Sequence, residues 1–244
     1  MDSAHSMRST RLIRSKDSIR PSTLVKQTGG SYARQLGIDL SGGDAAEIHK
    51  WFIAALLFGA RISERIAEKT YRKFEQDGML TARRMVDAGW DKLVVILDRG
   101  AYVRYDFKTA TKLLEANRSL LHHYQGDLNV LYGSARDEAD LEQRLRSLGK
   151  GIGGVTVNIF LRELRGIWPK ADPALSERAI AAAKALGFVP SRMHDPAHIL
   201  QALKDAWRAD GMKPENFAEF DAALVRYETV LRKKTAHAVK ASVV

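Results

Sequence analysis

The sequence predicts an all-α protein, and three observations lead there. Apolar residues recur at helical spacing along nearly the whole chain from about residue 42. Glycines punctuate those runs at short intervals, as helix ends do. The one β-leaning piece, "KLVVIL" (92–97), stands too isolated to build a sheet. Taken in order, Ile62, Ile66 and Phe74 lie on an i+4 row. Leu113, Leu114, Leu120, Leu121 and Tyr124 form a second stripe, and Phe217, Phe220, Leu224, Tyr227 and Leu231 a third. Gly78, Gly89, Gly100, Gly126, Gly133, Gly166, Gly187 and Gly211 separate the runs. The pattern makes about ten short helices. No repeat of roughly 20–50 residues is visible, which argues against a solenoid.

With 244 residues the chain has the length for one large domain or two small ones. It has no cysteine, which excludes disulfides and thiolate metal sites and leans toward a reducing interior. No apolar stretch reaches the roughly 18 residues that span a bilayer, so no membrane partner is expected. The net charge is +10, and where it sits matters more than its sum. Residues 1–34 carry seven basic and two acidic side chains, a balance of +5. Residues 232–244 carry +4, which leaves +1 for everything between. Basic tails attract polyanions without selecting them. Specific nucleic-acid binding must therefore come from geometry inside a nearly neutral body. The Ser- and Arg-rich start reads as a flexible basic arm, with an organellar transit peptide as the alternative.

The most informative stretch is "LGKGIGGVTVNIFLRELRGIWPKADP" (148–173). Before it, "DEADLEQRLRSL" (137–148) places Leu141, Leu145 and Leu148 on one helix face, with acids in the first turn. After the glycines, Val157, Phe160, Leu161 and Leu164 form the matching face of a second helix. Gly151-Ile152-Gly153 between them can take backbone angles closed to other residues and lets another backbone come close. Exposed N–H groups there, joined to the next helix N-terminus, make an anion site that suits a nucleic-acid phosphate. Arg144, Arg146 and Lys150 add charge nearby, and Ile152 would plug into the core. A plain packing corner between two helices fits the same spacing. Asp172-Pro173, before "ALSERAIAAAKALG", likewise fits a helix N-cap followed by proline at the first helical position.

The stretch resembles the helix-hairpin-helix of the DNA glycosylases related to endonuclease III, adenine glycosylase and the 8-oxoguanine and 3-methyladenine glycosylases. Their hairpin reads roughly Leu-Pro-Gly-hydrophobic-Gly-x-x-Thr-Ala, and "GKGIGGVTV" (149–157) matches it here. In that family a Gly/Pro-rich connection leads on to an aspartate at the mouth of the base pocket, and Asp172 falls at that position. "WFIAALLFGARISERIAEKTYRKF" (51–74) is similar to the family's early helix pair, and "WDKLVVILDRGAYVRYDFKTATKLL" (90–114) to the stretch before the hairpin. The resemblance spans residues 40 to 190.

It implies two helical subdomains flanking a cleft. The middle one would be about 61–165 and the other 35–60 with 166–231, leaving the basic segments 1–34 and 232–244 outside. It implies hydrolysis of the N-glycosidic bond of a damaged or modified base flipped from double-stranded DNA. The enzyme would be a monomer, cytoplasmic and nucleoid-associated, or organellar if residues 1–34 are a transit peptide. Lys150, Gly151, Ile152, Gly153, Gly154 and Thr156 would meet DNA phosphate. Asp172 would stabilise the sugar cation and orient or deprotonate the attacking water. Arg61, Tyr102, Arg104 and Tyr105 are candidates for the base pocket or for a wedge in the duplex, and Phe107 joins the aromatics that can stack on an extruded base.

The departures carry information. Members that also cut the strand have a lysine where this chain has Val155, which cannot form an imine, so a monofunctional enzyme is implied. An iron–sulfur loop is impossible without cysteines, and no cofactor is expected beyond, at most, a monovalent cation at the hairpin. Lys150 replaces the hairpin proline, and Arg61 stands near the place of a glutamine used by many members. Lys170 is a candidate displaced amine. The adjacent His122 and His123 point to different helix faces, and Pro196 interrupts the spacing of His194 and His198, so no metal site is expected. Asp106 most simply caps the helix that begins near Lys108. The competing reading is a DNA-binding protein that keeps the hairpin without the chemistry.

Overall fold

The computed structural model describes residues 19–241, with side chains through Thr229, and among these residues it is helical without any strand. In chain order the helices are α1 (Pro21–Thr28), α2 (Tyr32–Gln35), α3 (Ala45–Phe58), α4 (Glu64–Gln76), α5 (Ala82–Arg99) and α6 (Asp106–Tyr124). They continue with α7 (Leu128–Ser134), α8 (Glu138–Ser147), α9 (Gly154–Glu163), α10 (Glu177–Ala185), α11 (Pro196–Ala209) and α12 (Phe217–Ala241). Short polar side chains start most of them. Asp44, Ser63, Thr81, Asp127, Asp137, Ser176 and Asp195 each accept a first-turn N–H. "KLVVIL" lies inside α5, where Leu93, Ile96 and Leu97 are buried; packing against α6 overrides its β propensity.

Two apolar cores organise the chain. The larger is built from α2 to α9 together with Trp168 and Ala171. At its centre lies α3, with Trp51, Phe52, Ile53 and Leu56 withdrawn from water, each worth about 1.5–3 kcal/mol of transfer free energy. The smaller joins Leu24 of α1 to α10, α11 and α12, and there Trp207 stacks on Phe220 with ring centroids 5.7 Å apart. This partition differs from the expected one. Residues 45–58 belong with the middle of the chain rather than its end, because α3 is apolar on nearly all sides and has to be surrounded.

The expected flexible arm is also shorter than residues 1–34. α1 packs on α12 because Leu24 is fully buried, Pro21 opens the helix, and Asp210 holds both Ser22 N (2.8 Å) and Arg20 Nε (3.0 Å). Tyr32 and Ala33 are buried in the larger core. At the other end α12 continues through Ala241, so the backbone of the expected tail is helical from 232. Residues 1–18, where a transit peptide would begin, lie outside the described residues, as do the side chains of Leu231 and the basic residues beyond it. Among the described residues no helix is long and apolar enough to cross a membrane.

Candidate functional site

The glycine turn between α8 and α9 rests on α6. A β-carbon on Gly149 would come within 3.1 Å of Ala116 N and 3.3 Å of Lys112 O, so glycine lets the turn lie this close without the α6 backbone giving way by a few tenths of an ångström. Gly151 has φ +85°, the left-handed region that favours glycine. Ile152 points inward and is buried, as its place between the glycines suggested. Gly153 then opens α9 without any capping side chain and with no acid in the first turn. The first N–H groups of a helix have no intrahelical acceptor. Here they stand at an exposed surface, with Gly153, Gly154 and Val155 all open to solvent.

Cations border this turn, and carboxylates temper them. Lys150 is exposed, while its backbone N–H donates to Glu115 Oε2 at 3.0 Å. Lys112 of α6 approaches Gly151, and partial burial holds its ammonium below the usual lysine range. The Arg146 guanidinium lies beside Gly154 and pairs with Glu142 at 3.0 Å. Arg144 is drawn away to Asp140 (3.2 Å) and Tyr124. The Thr156 side chain does not face outward with the turn. It is buried against Gly59, at the C-terminal end of α3, leaving only its backbone for an outside ligand. That contact brings the end of α3 against the first turn of α9, and the exposed Arg61 follows two residues after Gly59 in the α3–α4 loop.

The aromatic candidates divide. Tyr102 is fully buried and donates its hydroxyl to Leu57 O at 2.6 Å, so it is a core residue and not a stacking platform. Burial pushes its hydroxyl pKa above the ordinary tyrosine value. Tyr105 is half-buried beneath the exposed Arg104, whose guanidinium carbon lies 5.4 Å from the ring centroid. Phe107 is largely exposed, as is Val103, which no sequence pattern singled out. Phe107 leans on Trp90, ring centroids 5.3 Å apart. Asp106 belongs to the first turn of α6 and accepts from Phe107 N at 2.8 Å.

Asp172 is not an N-cap. α10 begins at Glu177, and Ser176 supplies the cap by accepting from Ala179 N at 3.2 Å. Asp172 sits instead in the extended connection after α9, about a third of its side chain exposed, with both carboxylate oxygens engaged. Oδ1 accepts from Arg165 Nε at 3.0 Å and Oδ2 from Lys204 Nζ at 2.6 Å. Arg165 is the organising residue, only 4% exposed. Its other nitrogens reach Asp221 of α12 and Pro173 O, and its guanidinium carbon lies 5.6 Å from the Phe217 ring centroid. Asn158, on the second turn of α9, holds Ala174 O at 2.7 Å and draws the connection back along the helix. Asp172 and Lys204 line a cavity of about 310 Å³ whose apolar wall includes Trp168, Trp207, Phe217 and Pro214.

Neither Arg165 nor Lys204 was predicted. Arg165 ends an amphipathic run as an ordinary basic residue would, and its partners Asp172, Pro173 and Asp221 lie 7, 8 and 56 residues away, spacings that no helical pattern marks. Lys170, the candidate displaced amine, is turned away from Asp172. Its ammonium meets Tyr132 O (2.9 Å) and Ala135 O and lies 4.4 Å from the Tyr132 ring centroid. Val155 is 69% exposed beside the open N–H groups. His122 and His123 diverge less than expected, their Nδ1 atoms being 3.3 Å apart at the surface. His194 lies before α11 and His198 pairs with Asp195, so the two do not form a helical i, i+4 pair. Among the described residues there is no cluster of three or more side chains suited to a metal ion.

The sequence matches no protein-family model and no curated protein.

Proposed function

We propose that this chain is a monofunctional DNA glycosylase, hydrolysing the N-glycosidic bond of a damaged or modified base flipped from double-stranded DNA. One observation carries the reading. A single short helix, α9, opens on an uncapped glycine turn suited to phosphate; its Asn158 holds Ala174 O, and Arg165, two residues past its end, holds Asp172 beside a cavity of about 310 Å³. Asn158 stands four residues past Gly154, about 6 Å along the axis, and so ties the connection that carries Asp172 to the helix that the turn opens.

In this reading a phosphate of the target strand docks on the N–H groups of Gly153, Gly154 and Val155, with Lys150, Arg146 and Arg61 adding charge. The target base leaves the stack, at a cost that is lowest for damaged or mispaired bases, and enters the cavity. As the glycosidic bond breaks, positive charge develops at the sugar, and Asp172 stabilises it and orients the attacking water. Val155, standing where strand-cutting relatives of the resembled family carry lysine, leaves that position without an amine for an imine route.

A second reading is a DNA-binding protein without chemistry, and one observation favours it. Both oxygens of Asp172 already accept from cations, which weakens the field they can offer a sugar cation. Oligonucleotides carrying different damaged bases separate the two. The enzyme reading expects base release that falls by at least about a hundredfold in Asp172→Asn while duplex binding persists. Binding without release across the whole lesion set leaves only the second reading.

A further inference from the structure

We infer that the cavity beside Asp172 selects bases presenting a carbonyl edge, such as hypoxanthine or uracil, over cationic alkylated purines, and that Lys204 is the selecting residue. This rests on the glycosylase reading and deepens it by naming the substrate class.

The argument is an inventory of what the cavity wall still offers a ligand. Trp168 and Trp207 are buried, and their indole N–H groups are already used, by Asn129 Oδ1 (3.0 Å) and Lys213 O (2.8 Å). Their rings and Phe217, almost wholly buried, back the cavity, and with Pro214 they offer a ligand no hydrogen bonds. The Arg165 guanidinium is spent on Asp172, Asp221 and Pro173 O. Arg208 is held at the rim by Asp205 at 2.6 Å and by Lys204 O. Lys204 is different. An ammonium carries three N–H donors, and only one of them meets Asp172 Oδ2. Beside Asp172 the wall therefore presents a positively charged donor with hydrogen-bonding capacity to spare, while the unused N–H groups of Arg208 stand half-exposed at the rim.

A donor of that kind favours an acceptor. A carbonyl oxygen on the flipped base satisfies it, whereas a ring lacking the oxygen displaces water from the ammonium without replacing its hydrogen bond. A cationic alkylated purine meets like charge from Lys204, and the Asp172 carboxylate that might offset it is shared between two cations. Asp221 and Asp205 neutralise Arg165 and Arg208 from outside the wall, so the choice falls to Lys204.

The test compares duplexes holding hypoxanthine, uracil, unsubstituted purine or 7-methylguanine at one position, with the full chain and its Lys204→Met variant. The expected result is release of hypoxanthine or uracil but not of purine or 7-methylguanine. Lys204→Met should lower that release about ten- to a hundredfold and leave affinity for undamaged duplex unchanged. Release of 7-methylguanine in preference, or carbonyl-base release untouched by Lys204→Met, overturns the selectivity and leaves the glycosylase reading standing. If no base is released, the enzyme reading falls. Saturation-transfer NMR with free hypoxanthine then decides the inference: a signal lost in Lys204→Met sustains the cavity's preference, and no signal in the unaltered chain overturns it.

Discussion

The first turn of α9 and the carboxylate of Asp172 lie within a few turns of one another and are finished in opposite ways. At the turn, glycines replace the capping side chains that open most of the other helices, and N–H donors are left facing solvent. At Asp172, every obvious bond is already made, by Arg165 and Lys204, and Arg165 is itself locked to Asp221. An unpaired donor surface costs little where water covers it and stays ready for an outside anion. A charge at the edge of the core has to be paired before any ligand arrives. The difference teaches where to look for each kind of consequence: changes at the turn should alter binding, and changes around Asp172 should alter folding as well.

Arg165→Met should have the largest effect. It strands Asp221 in the interior and frees Asp172, and loss of one partner from such a buried pair destabilises by about 3–5 kcal/mol. Urea unfolding measures this. A loss below about 1 kcal/mol would break the contrast, since substitutions at a solvent-facing turn lie within about 0.5 kcal/mol.

A second effect comes from Glu163, at the end of α9. It is fully buried and accepts from Ser31 Oγ and from the N–H groups of Tyr32 (3.1 Å) and Ala33 (3.4 Å). Burial holds its carboxyl above the usual carboxylate range, against the opposing pull of Arg162 and these donors. The folded protein therefore retains this proton at a pH where the unfolded chain has lost it. Its contribution to stability is full below the ordinary glutamate pKa of 4.5 and is lost as pH rises through the raised value. Glu163→Gln should flatten that part of the stability profile, as thermal melts from acid to neutral pH would register. An unchanged slope would mean that the donors around Glu163 outweigh its burial.

The smallest effect on folding, and the sharpest on the comparison, belongs to Gly153→Asp. Nothing crowds a side chain there, and φ is −94°. An aspartate would cap α9 and stabilise the fold by roughly a few tenths of a kcal/mol. The same carboxylate would occupy the anion site and cut duplex affinity, roughly tenfold for an opposition of about 1.4 kcal/mol. Thermal unfolding and salt-dependent DNA binding measure the two. Affinity that holds while stability rises would remove the turn as a phosphate site.

Much of the helical plan was legible in the residues. The stripes at Leu113–Leu120 and Phe217–Leu224 are buried as their spacing requires, and Ile152 fills the core beneath its turn. The misreadings share a cause. Asp172-Pro173 has the local form of a helix start, but Ser176 took that role once Arg165 and the distant Lys204 drew the carboxylate aside. Tyr102 looked available for stacking, yet its hydroxyl had a carbonyl of α3 to reach in the core. Thr156 followed the hairpin pattern, and its side chain was claimed by the gap that Gly59 leaves.

By itself the sequence determined the all-α class, the glycine turn and its open first helical turn, because period, capping and positive φ are properties of neighbouring residues. Only the tertiary structure decided that Asp172 is clasped by two cations, that Lys204 shares its cavity, and that α3 belongs to the larger core. The deciding pairs, Asp172 with Lys204 and Arg165 with Asp221, are 32 and 56 positions apart in the chain, and no local pattern records which remote charges will meet when the core closes.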